Sequence, residues 1–219
     1  MSAADLTTKR QVALRFASGA SPRVLVAAAT VLLAVRTALG DWGRGDAVVV
    51  VATVLVTGPV ECIIHRFLLH APDDSWTGRT LGTGTGHRRH HLDPTDIEWL
   101  LLHGRDAALF VTAFGPVTAA WTLPLLRITG SPVAGPFVTA WACAAIGLAH
   151  YEWVHLLVHS RVRCRSRYYR RLARNHRLHH YRNERYWFGV TANSGDRLLG
   201  TYPRHTSDVA VSDTARTLA

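Results

Sequence analysis

The run Ala107–Leu126, AALFVTAFGPVTAAWTLPLL, crosses twenty positions without a charge. That matches the ~20 apolar residues needed to span a ~30 Å hydrocarbon core. A buried helix of a soluble bundle keeps a polar stripe at helical spacing, and this run has none. It therefore reads as a transmembrane helix. Three further apolar runs cover about 24–39, 47–64 and 133–157. Arg36, near the end of the first, is expected to snorkel to the headgroups. Glu61 alone interrupts the second, and His150, Glu152 and His155 sit towards the end of the fourth. Pro116, Pro124 and Pro136 are tolerated where neighbouring helices re-satisfy the backbone. The first run is preceded by mostly polar residues and interrupted by Arg36, which favours a retained anchor over a cleaved signal peptide.

The expected fold class is thus all-α integral membrane: four transmembrane helices joined to a cytosolic helical cap. Residues 1–23 form a cytoplasmic N-terminal segment, 24–202 the membrane domain, and 203–219 a polar tail expected to fray. Composition agrees. Of 219 residues, 48% are hydrophobic and only 18% charged, below the ~25% charged of soluble domains. The net charge is +10, almost all from arginine, with Lys9 the one lysine. Of the 25 basic residues, all but Arg36, Arg44 and Arg127 fall on the side that holds both termini and the middle segment 65–106. The positive-inside rule makes that side cytoplasmic. This bias accounts for the charge without a nucleic-acid partner. Residues 161–177, RVRCRSRYYRRLARNHR, hold eight arginines. They suit an anchor at the headgroup layer, with anionic lipid binding or docking of an acidic redox partner as functional readings. Cys62, Cys143 and Cys164 lie far apart, which excludes a disulfide framework and a cysteine zinc site.

Ten of the thirteen histidines fall in four clusters. They are His65 and His70 in HRFLLH; His87, His90 and His91 in GHRRHH; His155 and His159 in HLLVH; and His176, His179 and His180 in NHRLHHY. Positions i, i+3 and i+4 share a helix face, so three of the clusters each present a single face. His65 and His70 are ~140° apart on an ideal helix, so the second span should loosen between them or the two should arrive from different sides. Imidazole nitrogen ligates iron, zinc, copper and nickel, and ten imidazoles suit two ions with four to six nitrogens each. His103 and His205 read as surface or packing residues; His150, which opens HYEWVH, reads as a supporting residue.

Carboxylates inside membranes are rare and usually functional. Glu61 lies four residues before His65 and Glu152 three before His155. Each is expected to accept the outer ring N–H of its neighbouring histidine, with direct ligation the alternative. Glu152-x-x-His155 supplies only one of the two ExxH motifs that carboxylate di-iron bundles need. No HExxH is present, which argues against a zinc protease. A metal carrier needs polar ligands through the midplane, and the third span is bare.

Taken together, HRFLLH, GHRRHH, HLLVH and NHRLHHY resemble the histidine motifs of the membrane fatty acid hydroxylase (sterol desaturase) superfamily. The resemblance covers about 57–202. Pro94 and Asp96 match a proline and an acid after the second motif; Tyr151 and Glu152 match a Tyr-acid pair before the third. The segment YRNERYWFGVTANSGDRLLGTY is similar to the family's ending through Tyr181, Asn183, Phe188, Gly189, Thr191, Asp196, Gly200 and Thr201. The FGVT stretch leans towards the fatty acyl 2-hydroxylase branch. Leu102 and His103 stand near where acyl hydroxylases commonly have a Pro-Pro pair. The resemblance implies a di-iron site held by the ten motif histidines, with zinc an occupant in isolated protein, and with Asp196 in support alongside Glu61, Glu152 and His150. It implies O2-dependent hydroxylation of a fatty acyl or related lipid, with sterol- or carotenoid-type hydroxylation or desaturation as the alternative. The 23 residues before the first span are too few for a fused cytochrome b5 domain. Electrons are therefore expected from a separate partner, cytochrome b5-like or ferredoxin with its reductase. Arginine over lysine and abundant alanine point to a GC-rich bacterial genome, hence a bacterial cell membrane.

Overall fold

A computed structural model describes residues 2–72, 74–81 and 83–218. Regular structure among them is helical, apart from an isolated bridge between Ser2 and Asp96. The order is α1 (Lys9–Ser18), α2 (Ala20–Leu39), α3 (Arg44–Ile64), α4 (Trp76–Leu81), α5 (Thr83–Leu92), α6 (Gly104–Ile128), α7 (Ala134–His159), α8 (Arg167–Tyr181) and α9 (Ser194–Leu198). A π-helical turn, His65–Leu69, continues α3. The chain divides into two compact units, one of residues 15–56 and 102–152, the other of residues up to 14, 57–101 and 153 onward.

The first unit is built inside out relative to a soluble bundle. Along α6 the buried positions are Ala107, Val111, Gly115, Thr118, Thr122 and Leu126, spaced by three or four. Leu109 and Val117, 66% and 62% exposed, point away from the protein. Small residues let helices approach closely where lipid, not water, is the outer solvent. Ala107 and Val111 pack on Leu25 and Ala29 of α2 and Ala145 of α7. Gly115 lies under the Trp141 indole, where a Cβ would come within 3.1 Å, and Trp141 Nε1 donates to the Val111 carbonyl at 2.8 Å. The absent polar stripe has this cause: the inward face is small and threonine-rich, while the outward face is apolar.

Among the described residues, three helices are long and apolar enough to cross a membrane: Ala20–Leu39, Arg44–Leu69 and Ile97–Ile128. Only 22–28% of each apolar window is buried within the protein, so most of that surface needs an apolar solvent. The run expected at 133–157 forms α7, which has the length but is not one of these three. His150, Glu152, His155 and His159 dilute its second half.

Arg36 does not snorkel. Its side chain is fully buried, and its guanidinium donates to both Asp46 oxygens at 2.7 Å. Thr139 Oγ1 donates to the same carboxylate at 2.6 Å. The chain reverses at Gly40 (φ +64°), returning Asp46 of α3 to a position beside α2. A buried charge needs such a partner, and the local return supplies one sooner than the headgroups would.

In the second unit α9 presses on α3 through glycine. A Cβ on Gly195 would collide with the Gly58 carbonyl and lie 2.6 Å from Cys62 Cβ. Helix α8 is two-faced. Leu172, Ala173, Asn175, His176, His179 and His180 face inward, while all eight arginines of 161–177 are exposed. The 203–219 tail was expected to fray, yet its described residues are tied down. Ser212 N–H donates to the Arg182 carbonyl (2.7 Å), Arg182 Nε to the Val209 carbonyl (2.9 Å) and Thr214 Oγ1 to Glu184 (2.8 Å). Polar composition misleads here because the tail's partners are a backbone carbonyl and charged side chains at 182 and 184, earlier in the chain. The α3–α9 contact yields a first prediction. Gly195→Ala should destabilise the detergent-solubilised protein by about 1–3 kcal/mol, the usual cost of overpacking, read as a lowered Tm.

Candidate metal centre

The ten cluster histidines form two groups of five. Group one is His65, His70, His87, His91 and His179; group two is His90, His155, His159, His176 and His180. Within each group one ring nitrogen per residue lies within 4.8 Å of all the others. The π-turn explains how His65 and His70 meet. His70 N–H donates to the His65 carbonyl at 3.1 Å, five residues back, so i and i+5 align and the ring centroids lie 5.0 Å apart.

The helical triplets do not each serve one ion. His87 and His91 face group one while His90 turns to group two. His176 and His180 face group two while His179 turns to group one. Residues i and i+4 are ~40° apart around a helix, but i+3 lies ~60° to the other side of i. A triplet therefore straddles two adjacent sites. Helices α5 and α8 thereby lend histidines to both groups in a reciprocal two-plus-one pattern.

The outer nitrogens orient the rings. Nδ1 of His65 faces the Phe188 carbonyl (2.6 Å), that of His91 the Ala215 carbonyl (2.7 Å), that of His179 the Tyr186 carbonyl (2.8 Å), and that of His155 the Leu100 carbonyl (3.0 Å). A carbonyl only accepts, so each of these Nδ1 atoms carries the proton and each Nε2 offers a lone pair. Those lone pairs converge. Nε2 of His65 lies 3.0 Å from that of His87, and Nε2 of His179 lies 3.2 Å from that of His70. His91 Nε2 is buried without a hydrogen-bond partner. A cation between them would turn mutual repulsion into ligation, so the donor set fits a metal ion of imidazole-preferring type.

The carboxylates act one step further out than expected. Glu61 does not touch the His65 ring. It accepts from the Val190 and Thr191 N–H groups and from Thr191 Oγ1, the Thr191 N–H at 2.8 Å. Asp196 accepts from the Phe188 and Gly189 N–H groups, both at 2.8 Å, and from Thr201 Oγ1 at 2.6 Å. Both acids thus clamp the loop whose Phe188 carbonyl holds His65. Glu152 likewise bonds not to His155 but to Ser21 Oγ and, at 2.6 Å, to Leu102 N–H, two residues beyond the carbonyl that holds His155. His150 is exposed and outside both groups. The clamped loop carries backbone strain, with Trp187 at φ +55°, a region costly for a bulky side chain. Gly189 has no room for a Cβ, which would strike the Ala192 carbonyl. Sequence reading missed Leu100, Tyr186 and Ala215 because a backbone carbonyl leaves no side-chain signature.

A cavity of about 600 Å³ is walled by Arg66, Arg88, Phe188 and Leu218, and His70 is the histidine of either group that it reaches. Group one therefore has a direct opening.

The fatty acid hydroxylase family model matches residues 50–201, a span that contains all ten histidines. The chain belongs to that family. Fatty acid 2-hydroxylase of Macaca fascicularis is 29% identical over 144 residues, 65% of this chain and 36% of the relative. The chain thus spans little more than a third of that relative's length. A solved structure described as full length scs7p, with only the hydroxylase domain visible, superposes with a TM-score of 0.63 at 23% identity. The match covers 87% of this chain and 66% of the other, just under two thirds of it, and supports the fold. This fatty acid hydroxylase-family chain therefore combines the family's motifs with apolar helices and two candidate metal positions.

Two predictions follow from the geometry. Burial holds the His91 imidazole down to about 4. Burial and neighbouring imidazoles hold His70, His87, His90, His176, His179 and His180 well below their usual value. Unfolded histidines titrate near ~6.5, so below that pH the unfolded metal-free chain binds more protons than the folded one. Stability of the metal-free protein should be full above pH ~6.5 and fall progressively towards pH 4, as followed by thermal melts across that window. Separately, Glu61→Ala should strand the Val190 and Thr191 N–H groups and release the loop behind His65. Metal affinity should drop roughly 10–100-fold, the scale for losing an outer partner, in a chelator competition titration.

Proposed function

We propose that this chain is a membrane-bound lipid hydroxylase that inserts one oxygen atom from O2 into a C–H bond of a fatty acyl chain. The carrying observation is the pair of five-histidine groups whose ring nitrogens converge within 4.8 Å. Each group would hold one iron ion. Iron supplies the redox chemistry that activates O2; zinc suits the same nitrogens but has no redox state to offer. The balance is R–H + O2 + 2e⁻ + 2H⁺ → R–OH + H2O, so an external donor must supply two electrons. A cytochrome b5-like protein or a ferredoxin with its reductase is the proposed partner.

The chain's own residues divide the remaining work. The Phe188, Tyr186, Ala215 and Leu100 carbonyls fix which nitrogen of His65, His179, His91 and His155 points inward. Glu61 and Asp196 hold the loop behind His65 against displacement. Burial of eight of the ten histidines limits the water that competes at the reacting centre, and holding the C–H bond in place converts a collision into an intramolecular step. The relative named fatty acid 2-hydroxylase supports an acyl substrate and the carbon next to the carboxyl as the target.

For topology we propose four spans, α7 being the fourth, within a membrane domain of 24–202. His65 and His70 follow α3, His155 and His159 end α7, and the N-terminal segment joins the same unit, with Ala3 N–H bonded to the Thr95 carbonyl at 2.7 Å. The arginine bias supports a cytoplasmic side for the two histidine groups and both termini, and the arginine-over-lysine, alanine-rich composition supports a bacterial cell membrane.

The test is growth of cells with and without the gene under heavy-isotope O2, followed by untargeted lipid mass spectrometry. A fatty acyl lipid gaining one labelled oxygen only when the gene is present is the expected result. Loss of two hydrogens without label would replace hydroxylation by desaturation. His179→Ala should remain in the membrane yet abolish the labelled product. A fully active His179→Ala protein would sink the reading.

A further inference from the structure

The fatty acid hydroxylase match ends at residue 201, yet a segment beyond it reaches one of the two histidine groups. The Ala215 carbonyl accepts from His91 Nδ1 at 2.7 Å, and Ala215 is itself 3% exposed. The segment around it is anchored on two sides. Ser212 N–H meets the Arg182 carbonyl and Thr214 Oγ1 meets Glu184, just beyond α8. Arg216 donates to the Leu92 carbonyl at the end of α5 (3.0 Å), and Arg88 of α5 donates to the Leu218 carbonyl (2.7 Å). These bonds set the Ala215 carbonyl against the very helix turn that carries His91. Leu218 also walls the cavity that reaches His70.

The two groups differ here. In group two the carbonyl that orients a histidine is Leu100, inside the family-matched region. In group one His65 and His179 are oriented by Phe188 and Tyr186, also inside it, and His91 by Ala215, outside it. An outer partner fixes tautomer and ring angle, and its loss weakens metal binding about 10–100-fold.

We propose that Ala215 is a positioning residue for the group-one metal ion. The segment 212–218 is then a structural part of one metal position and not of the other, and ion occupancy of group one depends on its being docked. The proposal rests on the two-ion reading above. It concerns the segment's backbone, so composition at these positions gives no hint of it.

The test measures metal per chain in detergent-solubilised full-length protein by elemental analysis after dialysis against a chelator. Three variants are compared with the parent: deletion of 212–219, Ala215→Trp, which cannot keep the carbonyl in its buried seat, and Ala215→Gly, which can. The parent and Ala215→Gly should retain two ions. The deletion and Ala215→Trp should retain one, with the second binding about 10–100-fold more weakly. Adding His155→Ala to Ala215→Trp should leave none, because the ion that survives is in group two. Retention of both ions by the deletion and by Ala215→Trp would overturn the proposal. Loss of both together would also overturn it, since that is the signature of a general structural role. A parent that binds no metal would instead bring down the two-ion reading itself, and this inference with it.

Discussion

A backbone carbonyl can accept a hydrogen bond but never donate one, and four of the ten clustered histidines press Nδ1 against such a carbonyl. This constraint propagates through the centre. It decides the protonated nitrogen on each ring, points four Nε2 lone pairs inward, and leaves buried imidazoles close enough to repel unless a cation lies among them. The depressed proton affinity of His70, His87, His90, His91, His176, His179 and His180 has a separate origin, burial, which disfavours a charged ring. Metal binding and proton binding are then alternatives for the same lone pairs.

Holding carbonyls in place is what the unusual local features accomplish. Glu61 and Asp196 converge on the 188–191 loop from α3 and α9, and Trp187 adopts a strained backbone at its start. Gly58 and Gly195 allow α9 to approach α3 closely enough for that convergence. Read along the chain, Glu61 looks like the partner of the His65 ring and Asp196 like a supporting residue. In space they spend their hydrogen-bonding capacity on backbone N–H groups, which is how a carboxylate can serve a metal centre without touching a ligand ring. Neutral carbonyls on the outer ring nitrogens, with the carboxylates one layer further out, fix the ring geometry without placing a negative group among the converging nitrogens.

The membrane-facing helices obey the complementary logic. Their outward faces are apolar and their inward faces small, with threonines satisfied on their own helix, as where Thr122 Oγ1 donates to the Thr118 carbonyl. The Arg36–Asp46–Thr139 cluster is one polar exception, completed by the Gly40 and Asp41 carbonyls, and the Glu152–Ser21 pair is another. The arginine-bearing face of α8 is fully outward while its histidine face is buried. One helix thereby meets the solvent with positive charge and the metal centre with imidazole.

The helical class, three of the four apolar spans and the ten histidines that cluster were legible in the sequence. Each depends on residue type at a local spacing: twenty uncharged residues for a span, i, i+3, i+4 for a helix face. The break at His65–His70 was legible too, because a five-residue interval has no place on one face of a regular helix. The partition into two groups of five was not. It depends on how α5 and α8 are rotated against each other, and a triplet that looks like one face from within its helix straddles two sites once a second helix lies across it. Nor were the true partners of Glu61 and Glu152, the burial of Arg36, or the docking of 212–218, because each is settled by which distant backbone group arrives nearest. The sequence by itself determined which atoms can bind a metal; only the tertiary structure decided which bind together. Ligand chemistry belongs to the side chain, whereas a hydrogen bond to a carbonyl belongs to wherever the chain returns.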